Sequence, residues 1–487
     1  MTDPQRPRVV IIGAGMSGML MGIKLLEAGH TNFRIYEKAA KVGGTWRENI
    51  YPNIACDVFA PSYSYSFETN PEWNWRFGRG EEIQRYFEGV QKKYGLDPYL
   101  VFHSDVTQAR WDGSQWRLTL ADGRSDAAEV LVSAVGALHF PRMPDIPGLD
   151  SFAGPSFHTA RWDPTVDIRD KRVGVIGTGS TASQVVPGIV DKVDQLYLFQ
   201  RTAQWIFPFP DRKYSEKSKQ RRRKHRWLAR LVHRLDLGVA DVASAGIRGN
   251  RFILNRLAAA CRRNLATVRD PELRRKLTPD YPVACKRLVI SEDFYPAIQR
   301  PNAHLVSEGI DRIVPEGVIT RNGQKIELDV LVLSTGFHPY KTTAHIVGEG
   351  GRTLADTWAG SPIVHRTVGV PGFPNYFVVF GPYSPIGNMS IIENSEVQVA
   401  YIMKCINLIA RGERRTLNPR REVAERQKQE IRRALKGTVW QGGCQSWYLD
   451  ANGEAVSWPW SMQRFRQELR EPVLSEYEIS SSATPAR

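Results

Sequence analysis

Two short glycine-rich motifs contain the residue types needed to hold the phosphates of a dinucleotide. They begin 164 residues apart, and their residues are Gly13, Ala14, Gly15, Met16, Ser17 and Gly18, and Gly177, Thr178, Gly179, Ser180, Thr181 and Ala182. In such a motif the first glycine permits a tight turn, the second lets the backbone approach a pyrophosphate, and the small third residue allows close helix–strand packing. The N-terminus of the helix then faces the phosphates. The chain is therefore predicted to bind two dinucleotides.

The residue that would meet the ribose differs between the two motifs. Glu37 and Arg201 each stand 24 positions after the first glycine of their motif. A carboxylate accepts hydrogen bonds from a ribose but repels a 2′-phosphate, whereas a guanidinium grips a phosphate with paired, charge-assisted hydrogen bonds. We therefore expect FAD at the first motif and NADPH, rather than NADH, at the second, with Thr202 as an added hydroxyl donor. Taken alone, Arg201 is also compatible with an ordinary surface arginine.

The residues around each motif predict the strands and helices that would position it. β-branched runs at 8–12 and 171–176 precede the glycines. Helix-like patterns follow them, at 19–28 and 183–190, and second strands come next, at 33–36 and 196–200. Two further apolar runs, 129–136 and 329–336, are predicted to return the chain beneath the dinucleotides. The predicted fold class is α/β, with two Rossmann-like dinucleotide-binding domains.

The order of these elements predicts that the NADPH domain is inserted within the FAD domain. We expect the FAD domain at 1–148 and 335–487 and the NADPH domain at 149–212 and 282–334. Residues 213–281 are predicted to form a helical insertion, because apolar residues recur there at helix-like spacing, among them Leu228, Leu231, Leu235, Ile253 and Leu257. This insertion is expected to pack on the NADPH domain and to wall the substrate pocket.

Two further motifs resemble those of a known enzyme family. Phe152, Gly154, His158, Trp162 and Asp163 match the pattern FxGxxxHxxxW(P/D), which is the signature of type I Baeyer–Villiger monooxygenases. The related flavin-containing monooxygenases end this pattern with Tyr or Phe. The family pattern GGxWxxxxYPGxxxD resembles the stretch 43–57, except that Asn53 replaces a glycine. Asn tolerates left-handed backbone angles better than most residues, so the turn is expected to survive.

The resemblance implies a reaction and roles for several residues. In that family NADPH reduces FAD, the reduced flavin captures O2 as a C4a-peroxide, and this nucleophile converts a ketone to an ester or lactone. Arg287 matches the family arginine that stabilises the anion, and Asp57 would orient its guanidinium. Lys286 would contact the NADPH 2′-phosphate, and His158 would link cofactor binding to domain movement. Without the resemblance, Lys286 and Arg287 could simply extend a basic tract, and His158 could be a structural side chain.

The resemblance also assigns further residues to the two cofactors. Beside the glycines and Glu37, the expected FAD contacts are Gly44, Thr45, Trp46, Asp57, Tyr63, Val106 and Met389. Trp447 is expected on the NADPH side, with the second motif, Arg201, Thr202 and Lys286. The nearest alternative function is oxygenation of amines or sulfides at nitrogen or sulfur, which would use the same cofactor motifs.

The charge distribution leaves one alternative of another class. The net charge is +15, and the segment 212–276 alone has 20 Lys/Arg against 5 Asp/Glu, so the rest of the chain is balanced. This segment is compatible with a solvated helical face, with attraction of anionic phosphates or an acidic membrane surface, or with nucleic acid. No nucleic-acid recognition motif accompanies the charge, so we expect no nucleic-acid partner and at most peripheral membrane contact.

The cysteines and the hydropathy pattern bound the cellular setting. There are five widely spaced cysteines, with no CxxC pair and no Cys/His cluster of zinc-ligand spacing, so we expect reduced thiols and no metal site. No run of about 18 apolar residues and no secretory signal pattern occurs, which predicts a cytoplasmic enzyme without a transmembrane helix. The motifs do not specify which ketone is the substrate, nor the oligomeric state.

Overall fold

The computed structural model describes residues 6–339, 341–342, 344–385, 389–441, 443–444, 446 and 448–478. Its strands are β1 (Val9–Ile12), β2 (Phe33–Tyr36), β3 (Ala55–Phe59), β4 (Phe77–Arg79), β5 (Leu100–Val101), β6 (Val106–Trp111), β7 (Trp116–Leu120), β8 (Ser125–Ala128), β9 (Val130–Ser133), β10 (Ser156–His158), β11 (Arg172–Ile176), β12 (Gln195–Phe199), β13 (Ile206–Phe207), β14 (Val289–Ile290), β15 (Ala303–Val306), β16 (Ile310–Val314), β17 (Gly317–Thr320), β18 (Lys325–Glu327), β19 (Val330–Leu333), β20 (His345–Val347) and β21 (Tyr376–Val378). Its α-helices are α1 (Met16–Glu27), α2 (Thr45–Glu48), α3 (Gly80–Lys93), α4 (Ser180–Ile189), α5 (Glu216–Lys224), α6 (Arg226–Ile247), α7 (Arg251–Leu265), α8 (Pro271–Lys276), α9 (Phe294–Ile298), α10 (Leu354–Trp358), α11 (Ile391–Ala410), α12 (Arg421–Leu435) and α13 (Met462–Glu468).

Two parallel sheets of five strands form the centre of the molecule. The first has the order β21-β9-β1-β2-β5 and the second the order β10-β19-β11-β12-β15. In each sheet the strand before the glycine motif is central, with the second strand on one side and the predicted return strand on the other. The strands β1, β9 and β19 are buried along their whole length because both faces of a parallel sheet are covered. The predicted α/β class with two Rossmann-like units is confirmed.

Sheet membership follows the predicted division of the chain into domains. The strands of the second sheet, β10, β11, β12, β15 and β19, all lie within 149–334, whereas the strands of the first sheet lie before or after that range. Two smaller sheets accompany the parallel ones. The sheet β20-β6-β7-β8 is mixed, because β20 runs parallel to β6, and the sheet β16-β17-β18 is antiparallel. The exact domain boundaries remain our proposal, and this pattern supports them.

The segment between β13 and β14 is the predicted helical insertion and consists of α5 to α8. It packs on both halves of the molecule rather than on the NADPH half alone. The Asn264 side chain in α7 donates a hydrogen bond to the carbonyl of Ile206 at 3.2 Å. The His233 ring in α6 lies 2.8 Å from the carbonyl of Pro61, four residues beyond Asp57. Within the described ranges, no helix has the length and apolarity needed to cross a bilayer.

The expectation that every cysteine is a reduced thiol is wrong for one pair. Cys285 and Cys444 form a disulfide, with their Cα atoms 6.2 Å apart and 159 positions between them in the sequence. Their spacing gave no indication of this contact because only the tertiary fold brings the C-terminal segment back over the loop before β14. Cys56, Cys261 and Cys405 are buried free thiols. Burial raises the pKa of Cys261 and of Cys405 to about 12, so these two thiols stay protonated at neutral pH.

Candidate active site and dinucleotide sites

The first glycine of each motif makes the same turn in both sheets. The amide of Gly13 donates to the carbonyl of Tyr36 at 2.8 Å, and the amide of Gly177 donates to the carbonyl of Phe199 at 3.1 Å. Both glycines have positive φ, at 100° and 111°. A β-carbon on either would lie 2.8 or 2.3 Å from a carbonyl oxygen just after the neighbouring return strand. Only glycine fits these two turns without moving the backbone.

The turns leave two helix N-termini open to a phosphate. α1 begins after Gly15 and α4 after Gly179, and neither N-cap residue makes a side-chain capping hydrogen bond. No atom lies within 4 Å of where a β-carbon on Gly179 would stand, and a β-carbon on Gly44 would come 3.1 Å from the Cα of Gly15. Uncapped amides beside side-chain-free backbone are what a pyrophosphate requires. The residues at both motifs therefore fit a dinucleotide.

The third position of each motif shows why a small residue is needed there. A β-carbon on Gly18 would lie 1.8 Å from the carbonyl oxygen of Gly13, so α1 packs directly against its own turn. The equivalent residue of the second motif, Ala182, is fully buried. Met16 and Ser17, between the second and third glycines of the first motif, anchor α1 through hydrogen bonds. The carbonyl of Met16 accepts from the Tyr65 hydroxyl at 2.5 Å, and the Ser17 hydroxyl lies 3.1 Å from another hydroxyl on α11.

Glu37 lies at the end of β2, where the sequence predicted a ribose contact. It is buried, and its carboxylate oxygens accept from the amides of Ala14 at 2.9 Å and Ala39 at 3.0 Å. The Arg47 guanidinium forms an ion pair with the same carboxylate at 3.2 Å. A carboxylate has about four lone-pair positions, so these contacts fix its orientation and leave room for a ribose hydroxyl.

The other residues expected around FAD occupy several elements. Thr45 begins α2, and the Trp46 indole donates to the Tyr63 hydroxyl at 3.0 Å, with the rings edge to face. Val106 is buried at the start of β6, and Met389 is buried just before α11. Their contacts with a cofactor remain predictions. Trp447, expected on the NADPH side, lies outside the described residues.

The second motif has two cations beside it. Arg201 follows β12 and is exposed. Lys286 lies close enough to Arg201 for their positive charges to interact. Burial, reinforced by the positive charge of Arg201, lowers the pKa of Lys286. Thr178 secures the same turn by donating to the carbonyl of Thr202 at 2.6 Å. Two neighbouring cations beside a phosphate-binding glycine motif favour the binding of a dianionic phosphate group between them.

Arg287 and Asp57 form the predicted pair. The guanidinium nitrogens Nε and Nη2 donate to the two carboxylate oxygens at 2.7 and 2.8 Å, which is a bidentate arrangement. The two side chains are 22% and 21% exposed. Burial disfavours the charged guanidinium, but the Asp57 carboxylate outweighs that effect and raises the pKa of Arg287. Arg287 is thus a fixed positive charge at this site.

Asp57 is held in place by the turn that the sequence singled out. Asn53 adopts φ of 62°, in the left-handed region, so the predicted replacement of glycine by asparagine is accommodated. Its side chain also donates to the backbone carbonyl of Gln184 at 3.3 Å. β3, which carries Asp57, begins two residues later.

Two residues at this site were not anticipated from the sequence. Gln184 of α4 hydrogen-bonds the Tyr51 hydroxyl and both the amide and carbonyl of Ala55, at 3.0, 3.3 and 2.9 Å. It therefore ties the helix of the second motif to the strand of Asp57. Tyr448 is buried beside Arg287, close enough for the charge of the guanidinium to act on its hydroxyl. The only available signals were the position of Gln184 within the first turns of α4 and the adjacency of Tyr448 to Trp447.

Most of the family pattern at 152–163 lies at the edge of the second sheet. A β-carbon on Gly154 would lie 2.4 Å from the carbonyl oxygen of Asp329, so the chain passes the sheet closely here. Phe152 packs against the core of this half, and the rings of Phe157 and Trp162 meet edge to face at 5.0 Å. These contacts anchor the segment that leads from the first sheet into the second.

His158 and Asp163 differ in their surroundings. His158 is buried in β10, accepts a hydrogen bond from the amide of Ala160 at 3.1 Å and meets the Phe337 ring edge to face. Burial lowers the pKa of His158 to about 4, so its ring is neutral at neutral pH. Asp163 is surface-facing and accepts from the amide and hydroxyl of Thr165 at 2.9 and 2.6 Å. Asp163 thus stabilises a local turn.

Comparisons with known proteins agree with this geometry. Residues 6–230 match the model of the family described as flavin-binding monooxygenase-like. A Baeyer–Villiger monooxygenase of Streptomyces coelicolor is 40% identical over 481 residues, which cover 97% of this chain and 92% of the relative. The chain belongs to the Baeyer–Villiger monooxygenase family. An uncharacterised monooxygenase of Mycobacterium tuberculosis is 42% identical over 475 residues, covering 97% of this chain and 96% of the relative.

Solved structures of Baeyer–Villiger monooxygenases have the same fold. The cyclohexanone monooxygenase from Rhodococcus sp. Phi1, crystallised with NADP+, superposes with a TM-score of 0.85 at 28% identity. The match covers 95% of this chain and 96% of that one. The fold of this chain is therefore that of a Baeyer–Villiger monooxygenase.

Proposed function

We propose that this Baeyer–Villiger monooxygenase uses FAD, NADPH and O2 to convert ketones to esters or lactones. The observation that carries the proposal is the bidentate Arg287–Asp57 pair, at 2.7 and 2.8 Å, between β3 and the loop before β14. A heteroatom oxygenase has no need for a fixed cation that stabilises an anion, whereas attack on a carbonyl carbon does.

The two cofactors are assigned by the residues beside each cradle. FAD would lie along the N-terminus of α1, with its ribose at Glu37 and its remaining length near Trp46, Tyr63 and Met389. NADPH would lie along the N-terminus of α4, with its 2′-phosphate between Arg201 and Lys286. Reduced flavin, when bound, supplies the electrons that activate O2. NADP+ bound to the related cyclohexanone monooxygenase supports the second assignment.

Within this reaction the protein supplies positioning and electrostatics. Arg287 keeps its proton at any working pH, so it stabilises negative charge on the transferred oxygen without donating a proton to it. Asp57 holds the guanidinium through two oxygens, and Tyr448 lies beside it. A donor fixed in advance needs no reorganisation as charge develops, and such a group typically lowers the barrier by several kcal/mol.

The segment 152–163 is proposed to couple the two halves. His158 lies on the edge strand of the second sheet, and the adjoining Arg161 guanidinium donates to the carbonyl of His139, which follows the first sheet, at 3.2 Å. Gln184 makes a second connection from α4 to β3. A cytoplasmic location is proposed because FAD and NADPH are available there.

A panel of carbonyl and heteroatom substrates distinguishes the two candidate reactions. Purified enzyme with FAD and NADPH would be offered a cyclic ketone, a linear ketone, a thioether and a tertiary amine, and products would be identified by gas chromatography with mass spectrometry. We expect at least one ketone to accelerate NADPH oxidation and to give its ester or lactone. A sulfoxide or amine oxide as the only oxygenated product would favour the heteroatom alternative instead.

A further inference from the structure

Helix α6 of the insertion presents a continuous apolar row to solvent. Its members are Trp227, Leu231, Leu235, Val239 and Val242, which are 43–63% exposed. Their spacing of three or four positions places them on one face of the helix, over about 22 Å. Six of the ten large apolar residues that are exposed in the described part of the chain lie in α6 and α7, the sixth being Phe252. Scattered apolar residues are normal on a surface, but a row of this kind is not.

The opposite face of α6 is packed against the protein and fixes the row outward. Ala229, His233 and Ile247 are buried on that face. The His233 ring lies 2.8 Å from the carbonyl of Pro61, which ties α6 to the segment that follows Asp57. The helix therefore has no rotation available that would bury the row within the same molecule. Burial of these five side chains requires something outside the part of the chain that the structure describes.

Arginines run alongside the apolar row. Arg226, Arg230 and Arg234 are exposed and recur every four positions, one position before Trp227, Leu231 and Leu235. Successive helical residues are about 100° apart, so the arginines form the flank of the same outward face. The preceding α5 adds the exposed Arg221, Arg223 and Lys224, and α7 adds Arg251 and Arg256, the last lying over the Phe252 ring at 5.2 Å.

Few carboxylates offset this charge. Asp241, the acidic residue nearest the row, forms an ion pair with Arg248 at 3.0 Å. Asp236 is only partly exposed, and burial raises its pKa to about 6. On α5, Arg223 forms a bidentate pair with Glu72. The outward face of α6 therefore combines hydrocarbon with net positive charge.

We propose that this face of α6 docks on an anionic lipid bilayer. Helices that lie in a membrane interface combine an apolar face containing Trp or Leu with a flank of Lys or Arg. The bilayer would accept the five apolar side chains at the depth of its headgroup boundary while its phosphates meet the arginines. A second copy of the chain fits less well, because a symmetric contact through this face would set arginines against arginines.

The position of α6 gives this docking a consequence for the substrate. The buried face of the helix contacts residues 60–62, directly after the strand that carries Asp57. A membrane-docked enzyme would thus hold the Arg287 site close to a phase in which apolar ketones concentrate.

Vesicle co-sedimentation of the full-length protein tests the proposal. Vesicles of phosphatidylcholine alone would be compared with vesicles containing one quarter phosphatidylglycerol, at low and at high salt. We expect binding to the anionic vesicles that is at least about tenfold stronger than to neutral ones and that weakens with salt. Two variants are compared with wild type, Leu231→Gln/Leu235→Gln for the row and Arg226→Gln/Arg230→Gln/Arg234→Gln for the flank. Each should weaken binding about tenfold.

Matched controls remove similar groups from other surfaces. Val473→Gln removes an exposed apolar residue, and Arg169→Gln/Arg312→Gln/Arg411→Gln removes three exposed arginines. These variants should bind like wild type, and melting temperatures would establish that all variants fold. The proposal is overturned if the wild-type protein does not bind anionic vesicles. It is also overturned if the arginine variant loses binding and the leucine variant keeps it. It is also overturned if the leucine variant abolishes self-association measured without lipid, since the row would then be a protein contact.

Discussion

Replacing Arg287 by alanine is expected to leave an enzyme that oxidises NADPH but forms little or no ester. Flavin reduction depends on the two phosphate cradles, whereas oxygen transfer to a ketone depends on a fixed cation near the transferred oxygen. Loss of one such preorganised group typically slows the step about 10²–10³-fold. We therefore expect ester formation to fall by about that factor, with NADPH consumption diverted to hydrogen peroxide. Ester, peroxide and NADPH would be measured in the same reaction.

Three further variants show whether the loss of ester comes from the loss of the fixed cation. Arg287→Lys keeps the positive charge but cannot form the two parallel hydrogen bonds with Asp57, so it should recover only part of the ester yield. Asp57→Asn should resemble Arg287→Lys, because the guanidinium would remain but lose its orientation. Arg300→Ala removes an exposed arginine paired with Asp191 and should behave like wild type. A normal ratio of ester to NADPH in Arg287→Ala would refute the assigned role.

Replacing Arg201 by alanine is expected to erase most of the preference for NADPH over NADH. A charge-assisted hydrogen bond to a phosphate contributes about 1.5–3 kcal/mol, which corresponds to a rise of about 10- to 100-fold in the KM for NADPH. NADH lacks the 2′-phosphate, so its KM should hardly change and serves as an internal control. Initial rates of flavin reduction with both coenzymes provide the measurement.

A variant of Lys286 tests the same proposed contact with the NADPH 2′-phosphate. Lys286→Ala should also raise the KM for NADPH selectively, and the double variant should lose less than the sum of the single losses because both cations contact one group. A ratio of NADPH to NADH efficiency that stays at the wild-type value in Arg201→Ala would show that the phosphate binds elsewhere.

The parts of this molecule that the sequence predicted are those set by short-range backbone chemistry. Gly13 and Gly177 are fixed by turns that exclude a β-carbon, and such constraints leave a readable spacing. The strand β1 is apolar throughout and β11 is apolar after Arg172, because both faces of each sheet are covered. Glu37 and Arg201 follow at a constant distance along the same unit. Asn53 was recognised as a substitute for glycine from the family pattern, and its φ of 62° shows that the turn is kept.

The parts that were missed depend on contacts between segments far apart in sequence. Gln184 contacts Ala55 across 129 positions, and the disulfide joins two cysteines 159 positions apart. No local sequence pattern indicates a contact between residues so far apart in the chain. The spacing of Leu231 and Leu235 predicted a helix correctly, but periodicity alone does not reveal whether the apolar face points inward or outward. Here it points to solvent.

Isotope labelling tests the proposed reaction most directly. The enzyme would be incubated with FAD, NADPH and a ketone that it accepts under ¹⁸O₂, and the ester or lactone would be analysed by mass spectrometry. One atom of ¹⁸O in the ring or ester-bridge oxygen, with one NADPH consumed per product, is the expected result. An unlabelled product, or oxygenated product formed without NADPH, would contradict an FAD- and NADPH-dependent Baeyer–Villiger oxidation by this chain.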